Sequence, residues 1–275
     1  MMQRLTNRSL SNLIMALESV IQQGGTLRSG AGPVGGHRNG YIAWIRQAES
    51  ALAFYFDRRD VESFLLTVRY WEIRRLEPVH DELVALISQE AEARITELDD
   101  VLTFYKALAD RYSKEAGPVL VPDTNVFLHY TFFTEAPWCD LADGKAARIV
   151  VPIVVIEQLD RLKYSENSKR AERAQKVTRE LARLSEPWPK EPAIIPNRGT
   201  IEVILDEPGH MRMAEEDAEI IEVVRGLSSL LSKPARIVTG DLGMTLRARA
   251  LDVDVVAPPS DWQLLHQNKH KTVGN

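Results

Sequence analysis

The chain has 275 residues, 44% of them hydrophobic and 27% charged, and its net charge is −5. That balance excludes wholesale disorder and a strongly basic nucleic-acid coat, although it leaves room for a local basic groove. The single cysteine, Cys139, excludes a disulfide framework or a multi-cysteine zinc site within the chain.

No apolar run approaches the ~20 residues that span a bilayer, so no membrane association is expected. Met1 to Arg8 lack the charged-then-apolar layout of a signal peptide, and the expected compartment is the cytoplasm. From Leu5 to about Ser113 the apolar spacing predicts helices and almost no strand. Leu10, Leu13, Ile14, Leu17 and Ile21 mark the first. Gly24 to Gly40 holds 7 of the 15 glycines, which predicts a mobile loop or hinge at 24–40. Inside it, Gly30-Ala31-Gly32-Pro33-Val34-Gly35 matches a dinucleotide fingerprint but lacks a preceding strand, so it reads as loop. Helical patterns resume over Ile42–Tyr55, Val61–Leu76 and His80–Arg111. Tyr41, Trp44, Phe54, Tyr55, Phe56, Phe64, Tyr70 and Trp71 concentrate in this half. At helical spacing such a stripe reads as core before it reads as a base-stacking surface. The six histidines read as surface residues.

After Gly117-Pro118 the pattern changes. Short apolar runs at Val119–Val121, Ile149–Ile153, Ile201–Leu205, Ile237–Val238 and Val253–Val256 alternate with helical stretches. That alternation predicts an α/β domain with a parallel sheet covered on both faces. The expected division is an α-helical domain over 1–117 and an α/β domain over 118–275. The connection from Trp188 to Thr200 reads as a long insertion.

Four acids occupy similar places in the second half. Asp123 follows the first apolar run in Val121-Pro122-Asp123-Thr124-Asn125, and Glu157 follows the second in Ile156-Glu157-Gln158-Leu159-Asp160. Asp217 opens a helical stretch, and Asp241 follows the fourth run in Thr239-Gly240-Asp241. Singly, each reads as a helix cap, a first-turn acid or a turn residue. Together, at the carboxyl edge of a parallel sheet, four carboxylates repel one another unless cations join them. Mg²⁺ or Mn²⁺ takes carboxylate oxygens and leaves room for phosphate. Asp206 and the neighbours Glu215, Glu216 and Glu219 compete for the third position.

At these residues the sequence resembles the PIN-domain family, over about 118–260. The resemblance implies a short parallel sheet sandwiched by helices. It also implies a metal-dependent nuclease, often acting on RNA. By it Asp123, Glu157, Asp217 and Asp241 are the catalytic metal ligands, and Thr124, Asn125 and Thr239 orient them. The expected activity is hydrolysis of phosphodiester bonds by a ribonuclease with Mg²⁺ or Mn²⁺ and no protein nucleophile. The expected partner is nucleic acid, foremost single-stranded RNA, and self-association is a further expectation. Two alternatives stand beside it. One is a catalytically weak scaffold that binds RNA or a protein partner. The other is a toxin-type nuclease with a cognate inhibitor, which the large helical half disfavours.

Between Glu157 and Leu184 eight basic residues face five acids. This reads as a solvated face, or as a rail for nucleic-acid phosphates with Lys163, Arg170 and Arg173, joined by Arg247 from the far side.

Overall fold

The computed structural model describes residues 2, 4–5, 8–29, 34–77, 81–113, 117–143, 146–185, 192–195, 199–207, 209–231 and 234–264. The chain divides into two compact units. The first comprises Met1–Lys114 and Glu207–Met211; the second comprises Glu115–Asp206 and Arg212–Asn275.

The first unit is helical: α1 (Leu10–Gly25), α2 (Val34–Leu52), α3 (Arg58–Leu65), α4 (Val68–Arg75) and α5 (Asp81–Ser113). Helices α1, α2 and α5 pack on one another. Their buried faces carry Leu13, Leu17, Ile45, Leu52, Leu83, Ile87 and Leu98, the i, i+3, i+4 stripe of a core-facing helix. The single helix expected over 61–76 is two. Leu66 leaves helical geometry at φ −92°, ψ 59°, and Thr67 caps α4 by accepting from the Tyr70 N–H at 3.1 Å. The Thr67 hydroxyl also donates to the buried Glu90 at 2.8 Å.

The glycine-rich loop expected over 24–40 is mostly helix. α1 runs through Gly25, a 3₁₀ turn covers Thr26–Ser29, and Gly35, Gly36 and Gly40 lie within α2. Gly30, Gly32 and Pro33, the centre of the apparent fingerprint, lie outside the described residues. The abundance of glycine has another cause at Gly24. A Cβ there would stand 2.6 Å from the Trp44 ring, and the Trp44 indole N–H donates to the Val20 carbonyl of α1 at 2.9 Å. Glycine lets the two helices touch. Of the aromatic stripe, Tyr41, Trp44, Phe56 and Tyr70 are buried, whereas Phe54 and Trp71 are exposed. His37, read as surface, is buried.

The second unit holds a six-stranded sheet in the order β3-β4-β2-β1-β5-β6. Its strands are β1 (Val119–Pro122), β2 (Ala147–Pro152), β3 (Ala193–Ile195), β4 (Gly199–Ile204), β5 (Arg236–Val238) and β6 (Asp254–Val256). All pairings are parallel except the β3–β4 hairpin. All residues of the adjacent strands β1 and β2 are buried, as parallel strands covered on both faces must be. The helices are α6 (Thr124–His129), α7 (Ile153–Leu162), α8 (Ser168–Leu184), α9 (Glu216–Leu230) and α10 (Leu242–Ala250). The five apolar runs of the sequence form β1, β2, β4, β5 and β6. The strand not foreseen is β3, which turns part of the expected insertion into an antiparallel edge. No helix among the described residues is long and apolar enough to cross a membrane.

The chain lays β1, β2 and β4 outward in one direction, then returns to place β5 on the other side of β1. The order therefore reverses between β1 and β5. In open α/β sheets that reversal opens a crevice beyond the carboxyl ends of the strands.

Candidate metal centre and nucleic-acid groove

The crevice begins where β1 and β5 end. Asp123 is the N-cap of α6, accepting from the Val126 N–H at 2.8 Å. Asp241 is the N-cap of α10, accepting from the Met244 N–H at 2.9 Å. The modest structural readings of these two acids therefore hold alongside any functional one. Thr239, at the end of β5, ties them together. Its buried hydroxyl donates to Asp123 Oδ2 and accepts from the Asp241 N–H at 2.9 Å. Between them Gly240 leaves room for Tyr130, whose hydroxyl would meet a Cβ at 2.1 Å. Asp217 lies in the first turn of α9 beside Glu216 and Glu219, where the positive end of the helix favours acids.

Asp123, Asp217 and Asp241 lie near enough for their charges to repel one another. Burial pushes the Asp123 carboxyl up from 3.8 to about 6. Asp217 and Asp241 add to the rise, against the hydrogen bonds from Thr239 and the Val126 N–H. Asp217 is also raised, by burial first and then by Asp241, Glu215 and Glu216, while Arg247 opposes. Removing Asp123 from water costs more than its two donors return.

Glu157 stands apart. Arg212 holds its carboxylate in a two-pronged pair and also binds Asp206 at 2.7 Å. The hydrogen bonding from Arg212 lowers the Glu157 pKa. Among the described residues, the cleft at Asp123 is lined instead by Gln158, Arg161, Leu162 and Ser165, together with Thr124, Asn125, Glu216 and Asp217. Gln158, Arg161 and Leu162 share one face of α7, with Ser165 just beyond the helix end; Glu157 lies at the edge of that face, about 100° around from Gln158. Gln158 is the residue that sequence reasoning missed, whereas Glu216 stood among the acids competing for the third position. The sequence shows the acid at 157 but not which face of α7 turns inward.

A second cleft, of about 830 Å³, adjoins the first through shared Asn125, Leu128 and Arg170. Lys169, Arg170, Arg173 and Lys176 of α8 line it, with His129 and Asp241. The expected basic residues divide here. Arg170 faces the groove 3.4 Å from His129, and burial with the charges of Arg170 and Arg173 lowers the His129 pKa. Arg173 also serves the fold, donating to the carbonyls of Phe127 (2.9 Å) and Tyr130 (2.7 Å). Lys163 pairs with Asp160 at 2.6 Å, and Arg247 pairs with Glu215 and Asp217 at 3.1 and 3.2 Å. Lys169 and Lys176 are the groove cations that were not singled out in the sequence.

The PIN-domain family profile matches residues 120–258, which span this sheet, its helices and all the acids above. The chain belongs to the PIN-domain family. PIN domains are generally nucleases and typically use divalent metals. A comparison with curated proteins gave no match. Among solved structures the chain is similar to a domain of a functionally unknown protein from Methanocaldococcus jannaschii DSM 2661. Identity is 15% over 52% of this chain and 92% of that one, with a TM-score of 0.35.

As a PIN-domain cation site, the donor set is suitable. Asp123, Asp217 and Asp241 offer only carboxylate oxygens, which suit a hard divalent ion, and the absence of cysteine or histidine among them disfavours a soft-metal site. The raised pKa values of Asp123 and Asp217 mark repulsion and burial that a cation relieves.

Proposed function

We propose that this PIN-domain protein is a Mg²⁺- or Mn²⁺-dependent nuclease that hydrolyses phosphodiester bonds in single-stranded RNA. One observation carries the reading. The acidic cleft at the β1/β5 switch point opens directly into the cationic groove along α8, with Asn125 and Arg170 common to both. A strand whose phosphates follow Lys169, Arg170 and Lys176 arrives at Asp123. Asp123, Asp217 and Asp241 would hold the cation, and the hydrogen bond from Thr239 fixes the orientation of the Asp123 carboxylate. When bound, the cation supplies an activated water and neutralises charge developing on the phosphate. No side-chain nucleophile is required.

The test is cleavage of labelled single- and double-stranded RNA and DNA in Mn²⁺, Mg²⁺ or chelator, beside Asp123→Asn. Chelator-sensitive cutting of single-stranded RNA, lost in Asp123→Asn, is expected. Chelator-resistant cutting, or full activity in the variant, overturns the assignment.

A second reading is a nucleic-acid-binding scaffold without turnover. One observation favours it: the inward face of α7 carries the neutral amide of Gln158. It predicts RNA binding that is indifferent to chelator and no cleavage with any metal.

A further inference from the structure

We infer that Glu216, positioned by Gln158, supplies the fourth carboxylate of the acidic cleft, and that Glu157 takes no part in it. The inference rests on the metal-dependent reading above and deepens it. Glu157 and Glu216 differ in what surrounds them. Glu157 is absent from the residues that line the cleft at Asp123, and so is its partner Arg212. Glu216 lines that cleft next to Asp217.

Gln158 links the two sides of the cleft. Its Oε1 accepts from the Thr124 hydroxyl, and its Nε2 donates to Glu216 Oε2 at 2.8 Å. Thr124 neighbours Asp123 in the chain, and Glu216 neighbours Asp217. An amide can accept on one side and donate on the other, which an ionised carboxylate cannot. A glutamate at 158 would have no proton for Glu216 and would repel it. A glutamine at 158 and a glutamate at 216 are therefore complementary: the carboxylate sits on α9, and α7 supplies the group that orients it. Arg161, one turn along the same face of α7, pairs with the other oxygen of Glu216. Each carboxylate oxygen has a second lone pair, so Glu216 remains able to ligate a cation while both partners are engaged.

This arrangement also answers the observation that favours a scaffold. The cleft has not lost an acid at α7; the acid has moved to the facing helix.

The test is Mn²⁺ affinity of the full chain by titration calorimetry without nucleic acid, with melting curves to check folding. The variants are Glu216→Gln, Glu157→Gln, Gln158→Leu and the exchange Gln158→Glu/Glu216→Gln. Glu216→Gln is expected to weaken Mn²⁺ binding by at least about tenfold, and Gln158→Leu by about tenfold, as for residues that hold or orient a ligand. Glu157→Gln stays within about twofold of the parent. The exchange, which keeps one acid and one amide at the same two positions, recovers affinity to within about threefold. A merely structural role for Glu216 would lower the melting temperature of Glu216→Gln along with its Mn²⁺ affinity. The inference is overturned if Glu157→Gln weakens binding and Glu216→Gln does not, or if the exchange is as weak as Glu216→Gln. Absence of Mn²⁺ binding by the parent chain would remove the metal-dependent reading itself, and this inference with it.

Discussion

Asp123 commits one oxygen to the Val126 N–H and the other to the Thr239 hydroxyl, yet its pKa rises to about 6. The sign of the resulting pH dependence is fixed. Without metal, the folded chain keeps this proton between about pH 4 and about pH 6 while the unfolded chain gives it up, so stability falls as pH rises through that window. Asp123→Asn removes the charge. The shift of about two units corresponds to roughly 3 kcal/mol, and weaker hydrogen bonds from a neutral amide offset about 1 kcal/mol of it. We therefore expect metal-free Asp123→Asn to be about 1–2 kcal/mol more stable than the parent at pH 8. The difference should vanish near pH 4 in urea melts. Thr239→Val makes the opposite test. It deprives Asp123 of a donor and the Asp241 N–H of an acceptor at a fully buried position. A loss of about 1–3 kcal/mol is expected. Because a hydrogen bond that lowers the Asp123 pKa is gone, the acid limb of the cleavage–pH profile should move to higher pH.

Adjacent glycines at the end of α1 separate packing from chain freedom. At Gly24 a Cβ would lie 2.6 Å from Trp44; at Gly25 it would meet nothing within 4 Å. Gly24→Ala is therefore expected to destabilise by about 1–3 kcal/mol through overpacking, despite alanine's better helix propensity. Gly25→Ala is expected to be neutral or to stabilise by up to about 1 kcal/mol. Chemical denaturation of the two variants distinguishes a tight helix contact from a hinge. This pair shows why the glycine-rich stretch was misread: composition reports freedom, and close approach needs the partner helix. The parallel strands were legible because burial on both faces writes itself as unbroken apolar runs such as Val119–Val121 and Ile149–Ile153. Strand β3 was not, since Ala193–Ile195 is three residues long and alternates in burial. Asp123, Asp217 and Asp241 were legible from their places after strands or at a helix start. Gln158 was not, because its contacts depend on which face of α7 turns inward, and Glu216 was legible only as one of several competing acids.

At the scale of the molecule, the helical unit is built from two separate pieces of chain. Glu207 belongs to it and accepts from Arg4 through both oxygens, with the Arg4 Nε 2.8 Å from Oε2 and Nη2 2.6 Å from Oε1. The Tyr105 hydroxyl donates to the same carboxylate at 3.2 Å. Arg4 is buried, and removing the partner of a buried charge is costly. Glu207→Ala should cost about 2–4 kcal/mol, read as faster hydrogen exchange in α5 around Tyr105. The separation of 203 residues between Arg4 and Glu207 also has a consequence for biosynthesis. At ~5–20 residues per second, ~10–40 s pass between the emergence of the first and the second. Helices α1 to α5 and strands β1 to β4 all leave the ribosome in that interval. The piece that completes the first unit thus arrives after most of the sheet, and a nascent chain halted before residue 207 carries an N-terminal bundle that lacks its last segment.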